Sequence, residues 1–306
     1  MLRSFFIALS ESKSIRSIAE NSSIGQKVSK RFVAGMTVAD LIEATVAMNK
    51  AGVHVTVDNL GENVTNREEA LHSKALYHEL LDEIDKRKLD ANVSLKLTHM
   101  GLDVDEQLAR DTVIELLEHA ASIHSFIRVD MEGSPYTQRT IDFVRELHGR
   151  PGAAGHVGTV LQAYLFRTEE DVRVLCSEGI RIRLCKGAYK EAAAIAFPAK
   201  HDVDANYVKL AKILLKSGTF HGLATHDEHI INTIKAWAQQ EGVPKTAFEF
   251  QMLHGVRRDL QEKLAKDGWG VRCYIPFGTE WYPYFMRRLA ERPANVIFLA
   301  KNYFKG

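Results

Sequence analysis

Near the C-terminal end of the chain, Tyr284, Arg287, Arg288 and Glu291 lie three or four residues apart in the run Trp281 to Glu291. A helix there would set all four on one side. Two adjacent guanidinium groups on a short helix can grip a planar carboxylate through paired N–H donors, which makes a site for a small anion. Arg-Arg alone reads more simply as a solvated basic patch. Trp281, Tyr282, Tyr284 and Phe285, however, make a poor solvent face.

A second group of chemistry-bearing residues is spread through short apolar runs. Lys96, Arg128, Asp130, Glu132, Arg183 and Glu249 each sit at alternate positions between residues such as Val93, Leu95, Ile127, Val129, Ile182, Leu184, Phe248 and Phe250. A strand with that alternation has an apolar face and a charged one. Charges pointing inward are costly unless paired or bound to a ligand, so the pattern means an internal salt-bridge network or a site.

The elements that would position these residues are eight strand-like runs: Val53 to Val57, Val93 to Thr98, Phe126 to Glu132, Val157 to Tyr164, Ile180 to Lys186, Gly222 to His226, Ala247 to Met252 and Val271 to Pro276. Helical periodicity follows most of them, as at 66–88, 105–121, 137–147, 204–215 and 228–240. Eight such alternations predict an α/β fold, a (β/α)8 TIM-like barrel whose strand C-terminal ends carry the chemistry. Thr37-Val38-Ala39-Asp40 reads as the capped start of a helix ending near Gly52. No linker or repeat divides the chain, which predicts an N-terminal helical extension over 1–50 and one catalytic barrel over 51–306.

Lys and Arg total 40 against 39 Asp and Glu, a net charge of +1, so no global field recommends nucleic acid as a partner. Cys176, Cys185 and Cys273 show no C-x-x-C spacing and read as reduced packing residues in a cytoplasmic protein. The run Met1 to Leu9 is too short to span a membrane and reads as an amphipathic helix, leaving peripheral docking at a membrane open. No G-x-G-x-x-G or Walker A loop is present. His226, Asp227 and His229 are the nearest approach to a metal cluster, and without an obvious third ligand no metal is expected. A Schiff base on Lys96 or Lys186, as in a barrel lyase or aldolase, stays open at this stage, as does a catalytically silent binding protein.

Several separated motifs, in order along nearly the whole chain, resemble proline dehydrogenase. They are Leu161-Gln162-Ala163-Tyr164, Arg183-Leu184-Cys185-Lys186-Gly187-Ala188-Tyr189, Ala224-Thr225-His226-Asp227, Phe248-Glu249-Phe250-Gln251 and the stretch from Tyr274 to Asn295. In detail the chain is similar to the monofunctional bacterial form. One departure is Asn63 in Gly61-Glu62-Asn63-Val64-Thr65, where a serine is expected. The resemblance implies a distorted barrel with the last helix over its mouth, holding FAD without a Rossmann fold. It further implies oxidation of L-proline to Δ1-pyrroline-5-carboxylate, electron transfer to a membrane quinone, and a possible partnership with pyrroline-5-carboxylate dehydrogenase. By the same resemblance, Lys96, Arg287 and Arg288 hold the substrate carboxylate, and Asp130, Tyr274, Tyr284 and Glu291 complete the pocket. Gln162, Arg183, Lys186, Gly187, Ala188, Tyr189, Thr225, His226 and Gln251 contact the cofactor, with Arg183 beside the flavin as a catalytic group.

Overall fold

The computed structural model describes residues 31–61 and 63–286, and the backbone of the last helix as far as Glu291. Strands β1 (His54–Asn59), β2 (Ala91–Leu95), β3 (Ile127–Val129), β4 (Val157–Gln162), β5 (Arg181–Cys185), β6 (His221–Ala224), β7 (Phe248–Leu253) and β8 (Gly270–Phe277) pair in parallel. They close in sequence order, β8 back onto β1 with Val57 opposite Ile275. Helix α1 (Val38–Lys50) precedes the barrel. Each strand is then followed by one helix, in order α2 (Arg67–Lys86), α3 (Glu106–Ser122), α4 (Ser134–His148), α5 (Thr168–Ser177), α6 (Lys200–Lys216), α7 (Glu228–Gln240), α8 (Arg258–Lys266) and α9 (Trp281–Glu291).

The outward faces of the strands are the core. Val55, Val57, Val93, Leu95, Ile127, Val129, Ile182, Leu184, Phe248, Phe250, Val271, Cys273 and Ile275 are all at most 1 % exposed beneath the helices. Each such side chain contributes roughly 1.5–3 kcal/mol on burial, so period-two alternation fixes which face turns inward. Helix starts follow local chemistry. Thr37 and Asp40 form a capping box on α1, and Asn66, Asp105 and Asp227 accept from the first-turn amides of α2, α3 and α7. Helix α4 has no side-chain cap of its own. Glu191, from the loop after β5, accepts there from the Ser134 amide at 2.8 Å and its hydroxyl at 2.6 Å.

Strands β2 to β6 all end earlier than their alternation suggested, β2 and β3 by three residues each. Lys96 and Thr98 lie in the turn after β2, and Asp130 and Glu132 follow β3, so these polar groups stand at the C-terminal mouth. Helix α9 begins just past β8, where Trp281, Tyr282, Tyr284, Phe285 and Met286 pack with Phe32, Val33 and Leu60, the last immediately after β1. The side chains of Arg287, Arg288 and Glu291, like the run Met1 to Leu9, lie outside the described residues.

Candidate active site

The inward-facing polar groups divide into two levels. At the base, Arg128 donates from Nη1 to the carbonyls of Thr159 at 3.0 Å and Arg181 at 2.7 Å, with its guanidinium against the Phe126 ring. This arginine ties strands together. Also low in the lumen, Arg272 donates to Glu249 at 2.6 Å, Asn92 at 2.9 Å and the Val55 carbonyl at 2.7 Å, and Thr56 donates to the same Asn92 oxygen at 2.7 Å. Of the two alternatives expected for inward charges, this lower level is an internal ion-pair network.

Above that base stands Arg183, 6 % exposed. Its Nη1 donates to Asp130 Oδ1 at 2.8 Å, its Nε to Gln251 Oε1 at 2.5 Å, and its carbon lies 5.1 Å from the centre of the Tyr274 ring. Asp130 collects two further donors, the Ser94 hydroxyl at 2.6 Å and the Tyr274 hydroxyl at 2.9 Å. Burial, with Asp130 and Asp58 close by, pushes the Tyr274 phenol well above its ordinary value, so it stays a donor.

Lys96 reaches Asp58 Oδ2 at 3.6 Å, beside this group. Asp58 is 1 % exposed, and burial pushes its carboxyl up to about 6 against the opposing pull of Lys96. The Tyr77 hydroxyl spans the two sides, donating to the Ser94 carbonyl at 2.8 Å and standing 3.4 Å from Asp58. Lys96, Asp130, Arg183 and Tyr274 are thus brought to one mouth, as their strand positions suggested.

Of the residues expected at the cofactor, Gln162 donates to the Glu132 carbonyl at 3.0 Å, and the Glu132 carboxylate in turn accepts from the Thr98 hydroxyl at 2.7 Å. The Thr225 amide donates to the Gln251 carbonyl at 3.1 Å, and His226 accepts on Nε2 from the Leu253 amide at 2.9 Å. Lys186 turns toward the outer helices, pairing with Asp204 at 2.5 Å and Asp227 at 3.2 Å. Gly187, Ala188 and Tyr189 continue into a loop on which Ala188 and Tyr189 are exposed. Asp227 caps α7, and no cluster of three or more His, Cys, Asp or Glu is arranged for a metal among the described residues.

Sequence reasoning missed Asp58, Ser94 as a partner of Asp130, and Tyr77. A signal for Asp58 existed: it continues the inward parity of Thr56 in β1, one residue beyond the predicted strand end. Ser94 shares the inward parity of Lys96, two residues on, but carries no charge to draw notice. Tyr77 comes from the buried face of α2, and nothing in its spacing points to the mouth.

The described helices include none long and apolar enough to cross a membrane. The proline dehydrogenase family pattern matches residues 41–301 of the chain. Proline dehydrogenase 1 of Bacillus subtilis subsp. natto is 38% identical over 306 residues, covering 100% of each chain. The proline dehydrogenase of Deinococcus radiodurans is 38% identical over 304 residues, 96% of this chain and 98% of that one. A crystal structure of proline utilization A (PutA) from Bdellovibrio bacteriovorus superposes with a TM-score of 0.82 at 25% identity, covering 90% of this chain and 33% of the other. With this match along its length and a closed eight-stranded barrel of the same architecture, the chain belongs to the proline dehydrogenase family.

Proposed function

We propose that this protein oxidises L-proline to Δ1-pyrroline-5-carboxylate using FAD and delivers the two electrons to a membrane quinone. The observation that carries this reading is the Arg183–Asp130–Tyr274 cluster beside the Lys96–Asp58 pair at a single barrel mouth. Such an arrangement offers a fixed cation for a redox ring and a second cation for a carboxylate.

The groups at the mouth fit a flavin. Gln162 ends β4, Arg183 and Gln251 lie within β5 and β7, and Thr225 follows β6, so four successive strands supply neutral and cationic donors suited to a polar heteroaromatic ring. Gly187, at a φ of +118°, lies so close to Tyr164 that a Cβ would fall 2.5 Å from its ring, so glycine is what lets the chain turn out of β5 against that ring. FAD would supply the two-electron acceptor for the hydride that leaves proline C5.

This chain's residues hold and orient. Lys96, with Arg287 and Arg288 of α9, anchors the substrate carboxylate, each charge-assisted bond contributing roughly 1.5–3 kcal/mol. Anchoring that end sets the distance and angle of the C5–H bond, which is where positioning lowers the barrier. Tyr274 forms a wall of the pocket while its hydroxyl donates to Asp130, and Tyr284 and Glu291 complete the enclosure. Arg183 presents a positive charge that stabilises negative charge as it develops on the acceptor. Gln162, Lys186, Gly187, Ala188, Tyr189, Thr225, His226 and Gln251 are assigned to the cofactor side.

A lysine Schiff base is less well supported, because the Lys186 amine is already engaged by Asp204 and Asp227 and the Lys96 amine by Asp58, which leaves neither nitrogen turned toward a carbonyl carbon. Purified protein should be yellow, and anaerobic addition of L-proline should bleach its flavin band. Cofactor-replete protein that stays oxidised would refute the proposal. Quinone delivery, product transfer to pyrroline-5-carboxylate dehydrogenase and a cytoplasmic location with peripheral membrane contact belong to the same proposal.

A further inference from the structure

Beneath the cluster at the mouth, one buried acid does more than neutralise a neighbour. Glu249, 2 % exposed, accepts on the same oxygen, Oε1, from Arg272 Nε at 2.6 Å and from Gln251 Nε2 at 2.6 Å. Gln251 in turn accepts on its own Oε1 from Arg183 Nε at 2.5 Å. A primary amide has two orientations related by a half-turn, and they exchange a donor for an acceptor. Turned the other way, Gln251 would point N–H groups at the Arg183 Nε–H and its oxygen at a carboxylate. Both contacts would be repulsive in a water-poor lumen. A carboxylate can only accept here, so Glu249 selects the orientation that serves Arg183.

The parts around this relay are fixed. Arg272 is held from the other side by the Val55 carbonyl and Asn92. Gly222, paired with Glu249 on the neighbouring strand, leaves the gap that the Gln251 amide occupies, since a Cβ there would lie 2.3 Å from Gln251 Nε2. Arg272 and the Gln251 amide outweigh the effect of burial and hold the Glu249 carboxyl below its ordinary value, in the accepting form.

We infer that Glu249 is a positioning residue for the redox step: seated by Arg272, it sets the sense of the Gln251 amide and through it the orientation of the Arg183 guanidinium at the barrel mouth. The inference rests on the role given to Arg183 above.

The test compares holoenzyme variants with L-proline and a soluble quinone analogue. In Glu249→Met, kcat should fall about tenfold, the worth of one buried charge-assisted contact, while the proline KM stays within about twofold. The flavin midpoint potential should become more negative. Glu249→Gln, which keeps an oxygen at the shared position, should recover most of kcat. Glu249→Met combined with Arg272→Met removes both charges, so this pair decides the matter if the single variant does not fold. It should show the same loss of kcat.

Wild-type kcat and potential in the Met variants would overturn the inference. So would a Glu249→Gln as impaired as Glu249→Met, or a crystal structure of Glu249→Met with Arg183 still on Asp130 and Gln251 unturned. Wild-type protein that proline does not reduce would remove the underlying assignment instead, and the crystallographic readout separates the two failures.

Discussion

Arg183 in β5 and Asp130, just past the end of β3, belong to strands that are not neighbours, yet they meet across the lumen with Nη1 and Oδ1 2.8 Å apart. The carboxylate also accepts from Ser94 and Tyr274, so the guanidinium is held by a partner that is itself held. A charge locked in this way suits the role proposed for Arg183 beside the flavin, since little reorganisation is left for the moment of reaction.

Arg183→Met should therefore lower turnover by about a hundredfold and make the flavin potential more negative. Stopped-flow reduction by proline and a redox titration measure the two quantities. If neither moves, the role given to Arg183 is wrong.

In the proposed substrate pocket Tyr274 is a wall, and its hydroxyl is committed to Asp130. Tyr274→Ala should reduce the preference for L-proline over hydroxyproline, measured as a ratio of kcat/KM, by about tenfold. A ratio equal to that of wild type would exclude Tyr274 as the source of selectivity.

The Asp58 carboxyl, pushed by burial to about 6, gains a proton as the pH falls through that value. Lys96 then loses its anchor, so kcat/KM for proline should decline on the acid side of about pH 6. Asp58→Asn should give a lower plateau without that limb. An acid limb that persists in the variant would assign it to another group.

His221 accepts on Nδ1 from the Ile182 amide at 3.0 Å and sits 2.9 Å from the Ser217 hydroxyl. Burial, helped by Arg128 and Arg181, lowers its basicity from 6.5 to about 3. A histidine depressed in the folded state contributes stability present above 6.5 and lost as the pH falls toward 3. The loss amounts to about 1.4 kcal/mol per pH unit below the unfolded value. Melting curves from pH 7 to pH 4 should show a shallower decline for His221→Gln than for wild type, and parallel declines would dismiss the assignment.

Much of this protein was legible in its residues. Because a strand alternates with period two and a barrel buries its outer face under helices, Val93, Leu95, Ile127 and Val129 announced the core, and by parity Ser94, Asp130, Arg183 and Gln251 announced the lumen. Capping chemistry at Thr37, Asn66 and Asp105 was equally local.

What the tertiary structure alone decided is which of those inward groups touch. Arg183 faces Asp130 53 residues away and Gln251 68 residues away, and Asp58 meets Lys96 from a different strand. Arg128 was drawn down to backbone carbonyls, and Lys186 outward to Asp204 and Asp227. Parity along one strand gives a side chain its face. Its partner across the lumen depends on the stagger and closure of all eight strands, which no single stretch of sequence contains.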